Sequence, residues 1–240
     1  MNTSHSDQTT RGAKEIYLDK TYLENNPTWH VEDSPWKAQQ IRLMLCRHNI
    51  AANTICEIGC GAGEVLKQLS WEYPTTQFFG YELSPDAYEL CKTRETQSVK
   101  YFMENLLVRE EKFDVLLCID VFEHVEDYIG FLKSLKSKAT YKVFHIPLDI
   151  TVSAVLRNTM ISARQKVGHL HYFTQETALA TLRDSGYEIV DYFFTRSFDG
   201  LPSRSLKSKI AKLPRKILYM MSPNLMVKLL GGCSLLVLTK

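Results

Sequence analysis

Glu57-Ile58-Gly59-Cys60-Gly61-Ala62-Gly63 follows the apolar run Thr54–Ile58 and opens Glu64–Tyr73, whose apolar residues recur at helical spacing. Alternating glycines let a chain turn tightly from strand to helix and let backbone N–H groups approach a ligand closely. A dinucleotide site would space its glycines G-x-G-x-x-G. Here the pattern is G-x-G-x-G, with the Glu57 carboxylate two positions ahead of the first glycine. A carboxylate beside the loop repels a pyrophosphate and suits a cationic ligand with an amine. The competing reading is a tight strand–helix turn that binds nothing.

Outward from that turn, strand and helix patterns alternate. Gln77–Glu82, Val99–Met103, Phe113–Ile119, Tyr141–Ile146, Tyr187–Thr195 and Ser234–Thr239 read as further strands. Helices are expected from Ser34-Pro35 (as cap and first residue) through Ala38, Ile41 and Leu45, and at Pro85–Arg94, Phe122–Lys136, Ile150–Gln165 and Thr174–Ser185. Phe113–Ile119 is a continuous apolar run, as in a parallel strand buried on both faces. Such alternation with short connections gives a doubly wound α/β sheet with helices on both faces. Glu82 ends the second strand, 19 residues after Gly63, where doubly wound sheets place an acid that accepts hydrogen bonds from ribose hydroxyls.

These motifs together resemble the class I S-adenosylmethionine-dependent methyltransferases. The E-x-G-x-G-x-G turn, Glu82, Phe113-Asp114-Val115-Leu116, Asp120-Val121-Phe122-Glu123-His124-Val125, Ile146-Pro147 and Gly168-His169-Leu170-His171-Tyr172-Phe173-Thr174 carry the resemblance over roughly residues 29–195. It implies a single Rossmann-like sheet of seven strands in the order 3-2-1-4-5-7-6, the last antiparallel. It also implies S-adenosyl-L-methionine as cofactor. Glu57, Gly59, Cys60, Gly61 and Gly63 would hold its methionine end, Glu82 with Leu83 its ribose, and Glu104 or Asn105 its adenine. Asp120 would also bind the cofactor, and with His124 and His169 it is a catalytic candidate.

Asp120, Glu123 and His124 stand at i, i+3 and i+4, which places them on one face of a helical turn. In one reading the cluster of Asp120, Glu123 and His124, completed by His169 or His171, binds a divalent cation that lowers a substrate hydroxyl's pKa. This looks like the arrangement in small-RNA 2′-O-methyltransferases. In a second, His124 or His169 is a general base. In a third, the cluster orients the helix start and does no chemistry. Asp149 is a lesser candidate for substrate contact, and His145, within an apolar strand, reads as a satisfied core histidine. The aromatics of Asn26-Pro27-Thr28-Trp29-His30 form either a lid or a packed arm.

Composition sets the outer limits. The chain has 240 residues, 45% hydrophobic and 23% charged. This excludes disorder, collagen, a coiled coil and a disulfide scaffold. Six cysteines without a C-x-x-C pair read as reduced, mostly buried thiols of a cytoplasmic protein. No signal peptide is visible, and Ile217–Leu238 is too interrupted to span a membrane. The net charge of +2 argues against a general polyanion binder, but it is unevenly spread. Residues 1–199 carry −6, whereas 200–240 hold eight basic and no acidic residues. There Leu206, Ile210, Leu213 and Ile217 recur at helical spacing among Arg204, Lys207, Lys209, Lys212, Arg215 and Lys216, interrupted by Pro214 and followed by Lys228. Residues from about 200 to 230 read as a basic amphipathic helical insertion before the last strand. It either covers the sheet edge or, through residues 204–228, meets an anionic membrane, peripherally at the inner membrane surface, or a phosphorylated, lipid-linked or nucleic-acid acceptor, the last disfavoured.

The expected organisation is thus an N-terminal tail or arm at 1–28 and a methyltransferase domain at 29–240. The expected activity is methyl transfer to a hydroxyl oxygen of a saccharide or other small molecule. The alternatives are an RNA 2′-O-methyltransferase, disfavoured by the absence of an RNA-binding motif, and a non-catalytic cofactor-binding module.

Overall fold

The computed structural model describes residues 21–202 and 206–240. The strands are β1 Thr54–Ile58, β2 Gln77–Tyr81, β3 Val99–Phe102, β4 Phe113–Ile119, β5 Ala139–Pro147, β6 Ile189–Thr195 and β7 Ser234–Thr239. They form one sheet in the order β3-β2-β1-β4-β5-β7-β6. β1 to β5 pair in parallel, and β7 runs antiparallel to both β5 and β6. The order and the direction of the last strand match the expectation.

The runs in β1, β4 and β5 are apolar throughout because both sheet faces are covered. On one face α2 Ser34–Arg47 packs with α3 Glu64–Glu72, joining Ile41, Met44 and Leu45 to Leu66 and Leu69. On the other lie α5 Tyr128–Leu135, α8 Gln175–Asp184 and α11 Pro223–Leu230, which bury Leu132, Leu182 and Val227. α4 Pro85–Lys92 connects β2 to β3, and the short α1 Thr21–Asn25 precedes α2 and buries Tyr22. Strand order reverses between β1 and β4, so the glycine turn after β1 opens at the topological switch point, where ligands bind such sheets.

Two expected helices are broken. Phe122–Lys136 is a 3-10 turn at Phe122–His124, then α5, then a second such turn at Lys136–Lys138. Asp127 restarts the helix by accepting the Gly130 amide at 2.9 Å, a capping role that suits a short carboxylate. Ile150–Gln165 divides into α6 Val152–Leu156, capped by Thr151, and α7 Thr159–Val167. Asn158 separates them in a left-handed conformation at φ 51°, which Asn tolerates better than most residues. The strand expected from Tyr187 starts at Ile189 because Gly186, at φ 86°, extends the end of α8. Asp33, not Ser34, occupies the cap position of α2.

The basic segment forms α10 Leu206–Met221, which runs through Pro214 without ending, and α11. Arg204 and the side chain of Lys207 lie outside the described residues. The short α9 Ser197–Gly200 links β6 to this segment. The apolar stripe of α10 does not cover the sheet edge: Leu206, Ile210, Leu213 and Ile217 are all exposed.

Candidate functional site

Gly59, Gly61 and Gly63 adopt φ of 65°, 54° and 78°, the left-handed region that favours glycine. A Cβ on Gly61 would lie 2.9 Å from the Trp29 ring, and one on Gly59 would lie 2.9 Å from Val121. The Gly59 amide donates to the Tyr81 carbonyl at 2.8 Å, and the Gly61 amide donates to Glu82 Oε2 at 2.8 Å. Cys60 buries its thiol in the core, where burial pushes its pKa well up. Glu57 is 2% exposed, and its Oε2 has no hydrogen-bond partner. Burial pushes the Glu57 carboxyl well above the usual range, against the pull of Lys37. A buried carboxylate oxygen without a partner is costly unless a ligand completes it.

Two adjoining cavities open at this turn and share Tyr22, Trp29, Gly59, Gly61, Asp120 and His124. The first, about 280 Å³, reaches from Glu57 and Lys37 past Asp120 to His169 and Leu201. The second, about 470 Å³, is flanked by Glu82, Leu83, Glu104, Asn105 and Leu106. Glu82 accepts three backbone N–H groups, from Gly61, Leu83 and Ser84, each at 2.8 Å. Burial raises its carboxyl pKa, and those three donors oppose the rise. Glu104 is paired with Arg109 at 3.2 Å, while Asn105 Oδ1 accepts the Leu107 amide at 3.0 Å. Trp29 closes over the turn, with its ring 4.6 Å from Tyr22. The N-terminal aromatics therefore cover the site.

The expected grouping of Asp120 with Glu123 and His124 on one helical face does not form. Asp120 sits at φ 54° before a 3-10 turn, and its carboxylate points elsewhere. It meets Lys37 Nζ at 2.7 Å and His145 Nδ1 at 2.6 Å. His145 Nε2 pairs with the Thr195 hydroxyl at 2.8 Å. Burial acts to raise the Asp120 pKa, but His145 and Lys37 outweigh it and hold the carboxyl well below the usual carboxylate range. This chain of contacts ties α2 to the ends of β4, β5 and β6. His145 is a satisfied core histidine, and it also lines the first cavity.

Glu123, His124 and His169 do converge. Their ligand atoms all lie within 4.8 Å of one another. Gly168 ends α7 in a left-handed conformation, and the Leu170 and His171 amides then donate to the Glu123 carbonyl at 2.8 and 3.0 Å. Those bonds set the His169 ring 4.9 Å from that of His124. Glu123 is fully buried, neither carboxylate oxygen has a hydrogen bond, His124 Nε2 stands 3.8 Å from Oε1, and burial raises the carboxyl pKa strongly. Burial and His169 lower the His124 pKa to about 4. His171 takes no part: its Nε2 donates to the Val125 carbonyl at 2.9 Å. His169 Nδ1 donates to Asp149 Oδ2 at 2.6 Å, which leaves Nε2 as the ring's second nitrogen.

Lys37, and the pairing of Asp149 with His169, are features that sequence reasoning missed. Lys37 is an ordinary helical lysine in sequence, two residues past Pro35, and Asp149 lies 20 residues from His169. No local pattern links either to its partner.

The model of a methyltransferase domain family matches residues 32–192. The chain belongs to that family. Solved structures share the methyltransferase fold at low identity. Magnesium protoporphyrin IX methyltransferase from Synechocystis, with bound S-adenosylhomocysteine, is 13% identical at a TM-score of 0.63, covering 95% of this chain and 99% of that one. The N-methyltransferase NodS from Bradyrhizobium japonicum, also with S-adenosylhomocysteine, is 16% identical at 0.60, covering 95% and 98%. The plantazolicin methyltransferase BpumL, in complex with a monoazolic desmethylPZN analog and S-adenosylhomocysteine, is 15% identical at 0.63, covering 95% and 93%.

Proposed function

We propose that the protein transfers a methyl group from S-adenosylmethionine to a hydroxyl oxygen of a saccharide or other small-molecule acceptor. The observation that carries the cofactor is Glu57: a buried carboxylate oxygen without a partner, below a glycine turn, suits the ligand's ammonium group. Gly59, Gly61 and Gly63 keep the floor of the cleft free of side chains. Glu82 offers its carboxylate to ribose hydroxyls. Asn105 keeps its amide nitrogen as a donor for adenine, since its oxygen is already used. Trp29 and Tyr22 shield the cleft from water.

The cofactor supplies a methyl group already activated by its sulfonium, so positioning the acceptor in line supplies much of the rate. Asp149 fixes the His169 ring and favours the tautomer with the proton on Nδ1. Nε2 of His169 then accepts the hydroxyl proton as the acceptor oxygen gains the methyl group. Such proton removal contributes on the order of 10²–10⁴-fold. His124, neutral at ordinary pH, packs against His169 and limits its movement.

Calorimetric titration with S-adenosylmethionine, S-adenosylhomocysteine and NAD tests the cofactor; tight binding of NAD alone would overturn it. A labelled-methyl screen over saccharide, lipid-linked and RNA fractions then identifies the acceptor. With that acceptor, His169→Ala is expected to lower kcat while leaving S-adenosylhomocysteine affinity unchanged. A wild-type rate removes the general base.

The convergence of Glu123, His124 and His169 favours one second reading, a divalent cation held by these three groups that polarises the acceptor hydroxyl. Glu123, buried and without a hydrogen bond to either carboxylate oxygen, is the ligand such an ion would complete. Calorimetry with Mg²⁺, Mn²⁺ and Zn²⁺ checks it. No heat of binding, with activity indifferent to EDTA, leaves the base mechanism alone.

A further inference from the structure

α10 is turned inside out for a surface helix. Its inner face carries Leu218 and Tyr219 on the core, Arg215 bonded through Nη2 to the Leu230 carbonyl at 3.0 Å, and Lys212 bonded to the Leu201 carbonyl at 2.9 Å. Its outer face is the apolar one: Leu206 is 73% exposed, Ile210 67%, Leu213 65%, Ile217 48% and Met220 79%. These residues follow the helical repeat, so they form one continuous stripe along roughly 24 Å of helix. α11 packs against both α10 and α6. α6 and α7 add exposed Val155, Leu156 and Ile161. An apolar surface of this extent on a monomer marks an interaction site.

The charge around the stripe selects the partner. α6, α7, α10 and α11 contain no Asp or Glu, whereas Arg164, Lys166, Lys209 and Lys216 lie within them and Arg157 between α6 and α7. Lys216 pairs with Asp199 and Lys228 with Glu176, both acids from outside the four helices. A second copy of the chain would set this basic surface against itself, because a two-fold interface uses the same patch twice. An anionic bilayer supplies both complements at once: acyl chains for the stripe and phosphates for the cations. No helix among the described residues is long and apolar enough to cross a membrane, so α10 would lie along the surface.

We propose that α10, with α6, α7 and α11 beside it, docks the protein on the surface of an anionic phospholipid bilayer. Val167 at the end of α7 and Leu201 after α9 line the first cavity, so docking brings the mouth of that cavity beside the membrane. The proposal does not depend on the acceptor or on the general base.

The test is co-sedimentation of the full chain with vesicles of phosphatidylcholine mixed with phosphatidylglycerol, and with phosphatidylcholine alone. Partition into the anionic vesicles is expected at low salt and release at about 1 M salt, where the screening length falls to about 3 Å. Ile210→Ser with Leu213→Ser should lower partition at least tenfold, since each removes a side chain of the size that contributes most to burial. Lys209→Gln should lower it roughly fivefold at low salt only, the equivalent of about 1 kcal/mol per basic residue. Both positions face outward, and thermal melts matching the wild type establish that the variants fold. No uptake by anionic vesicles, equal uptake by both vesicle types, or unchanged uptake in the double serine variant would overturn the proposal. So would concentration-dependent self-association, lost in that variant, without vesicle binding.

Discussion

Replacing Asp120 by Asn probes the network that holds the floor of the cleft. Asn fits the left-handed φ of 54° at this position nearly as well as Asp, so the substitution removes charge with little backbone strain. Lys37, 20% exposed at its side chain, loses the carboxylate 2.7 Å away, and His145 loses its partner at 2.6 Å. A hydrogen bond to a charged group contributes about 1.5–3 kcal/mol. About 2 kcal/mol is a reasonable middle value, because Asn keeps one polar contact. For a chain of this size that corresponds to a fall in Tm of roughly 4–8 °C. The pH dependence gives a second handle. The folded Asp120 pKa is depressed, so its contribution is present above the unfolded value of about 3.9 and is lost as pH falls towards the folded value. Melts followed by circular dichroism should therefore show the full difference at pH 7 and pH 5 and a shrinking one below about pH 4. Lys37→Met and the double variant complete a thermodynamic cycle, expected to show a coupling of at least about 1 kcal/mol. An unchanged Tm for Asp120→Asn, or strictly additive losses, would show that the network holds nothing together.

The remaining predictions concern the cofactor, the histidine pair and one helix start. Glu57→Gln should weaken S-adenosylhomocysteine binding by roughly 10- to 150-fold, the equivalent of a lost charged hydrogen bond, as read by calorimetry. Gly61→Ala should weaken it at least tenfold, since the added Cβ would stand 2.9 Å from Trp29 at a φ that disfavours any side chain; intrinsic tryptophan fluorescence should report the displaced ring. Asp149→Asn should lower kcat for the acceptor while sparing cofactor affinity, because the ring of His169 loses its orienting carboxylate but not its nitrogen; a steady-state kinetic comparison with His169→Ala checks this. Asp127→Ala removes the cap of α5 and should cost about 1 kcal/mol, a fall of roughly 2–4 °C in Tm by thermal melt.

The sheet and the glycine turn were legible because they depend on local patterns. Apolar runs of strand length mark strands covered on both faces, and left-handed φ values at three alternating positions call for glycine. The helices over 122–136 and 150–165 were misread because each contains a short polar residue, Asp127 or Asn158, whose capping or left-handed role overrides helical spacing. The cluster of Asp120, Glu123 and His124 was misread for a related reason. Spacing at i, i+3 and i+4 implies a shared face only if the segment is helical, and Asp120 lies before the turn. What joined His124 to His169 instead was a pair of backbone hydrogen bonds across more than 40 residues, invisible to any local pattern.

Sequence alone therefore determined the strands and the glycine turn, because periodicity and glycine placement act over a few residues; the strand order followed only from the resemblance to the methyltransferases, and the sheet bears it out. Tertiary structure decided the partners. Packing α2 across the strand ends put Lys37 on Asp120, and folding 168–171 back onto 122–124 put His169 beside His124 and Asp149. Only the assembled fold could show which face of α10 looks outward. Spacing defines the stripe, but whether it is buried depends on neighbours that the stripe itself does not specify.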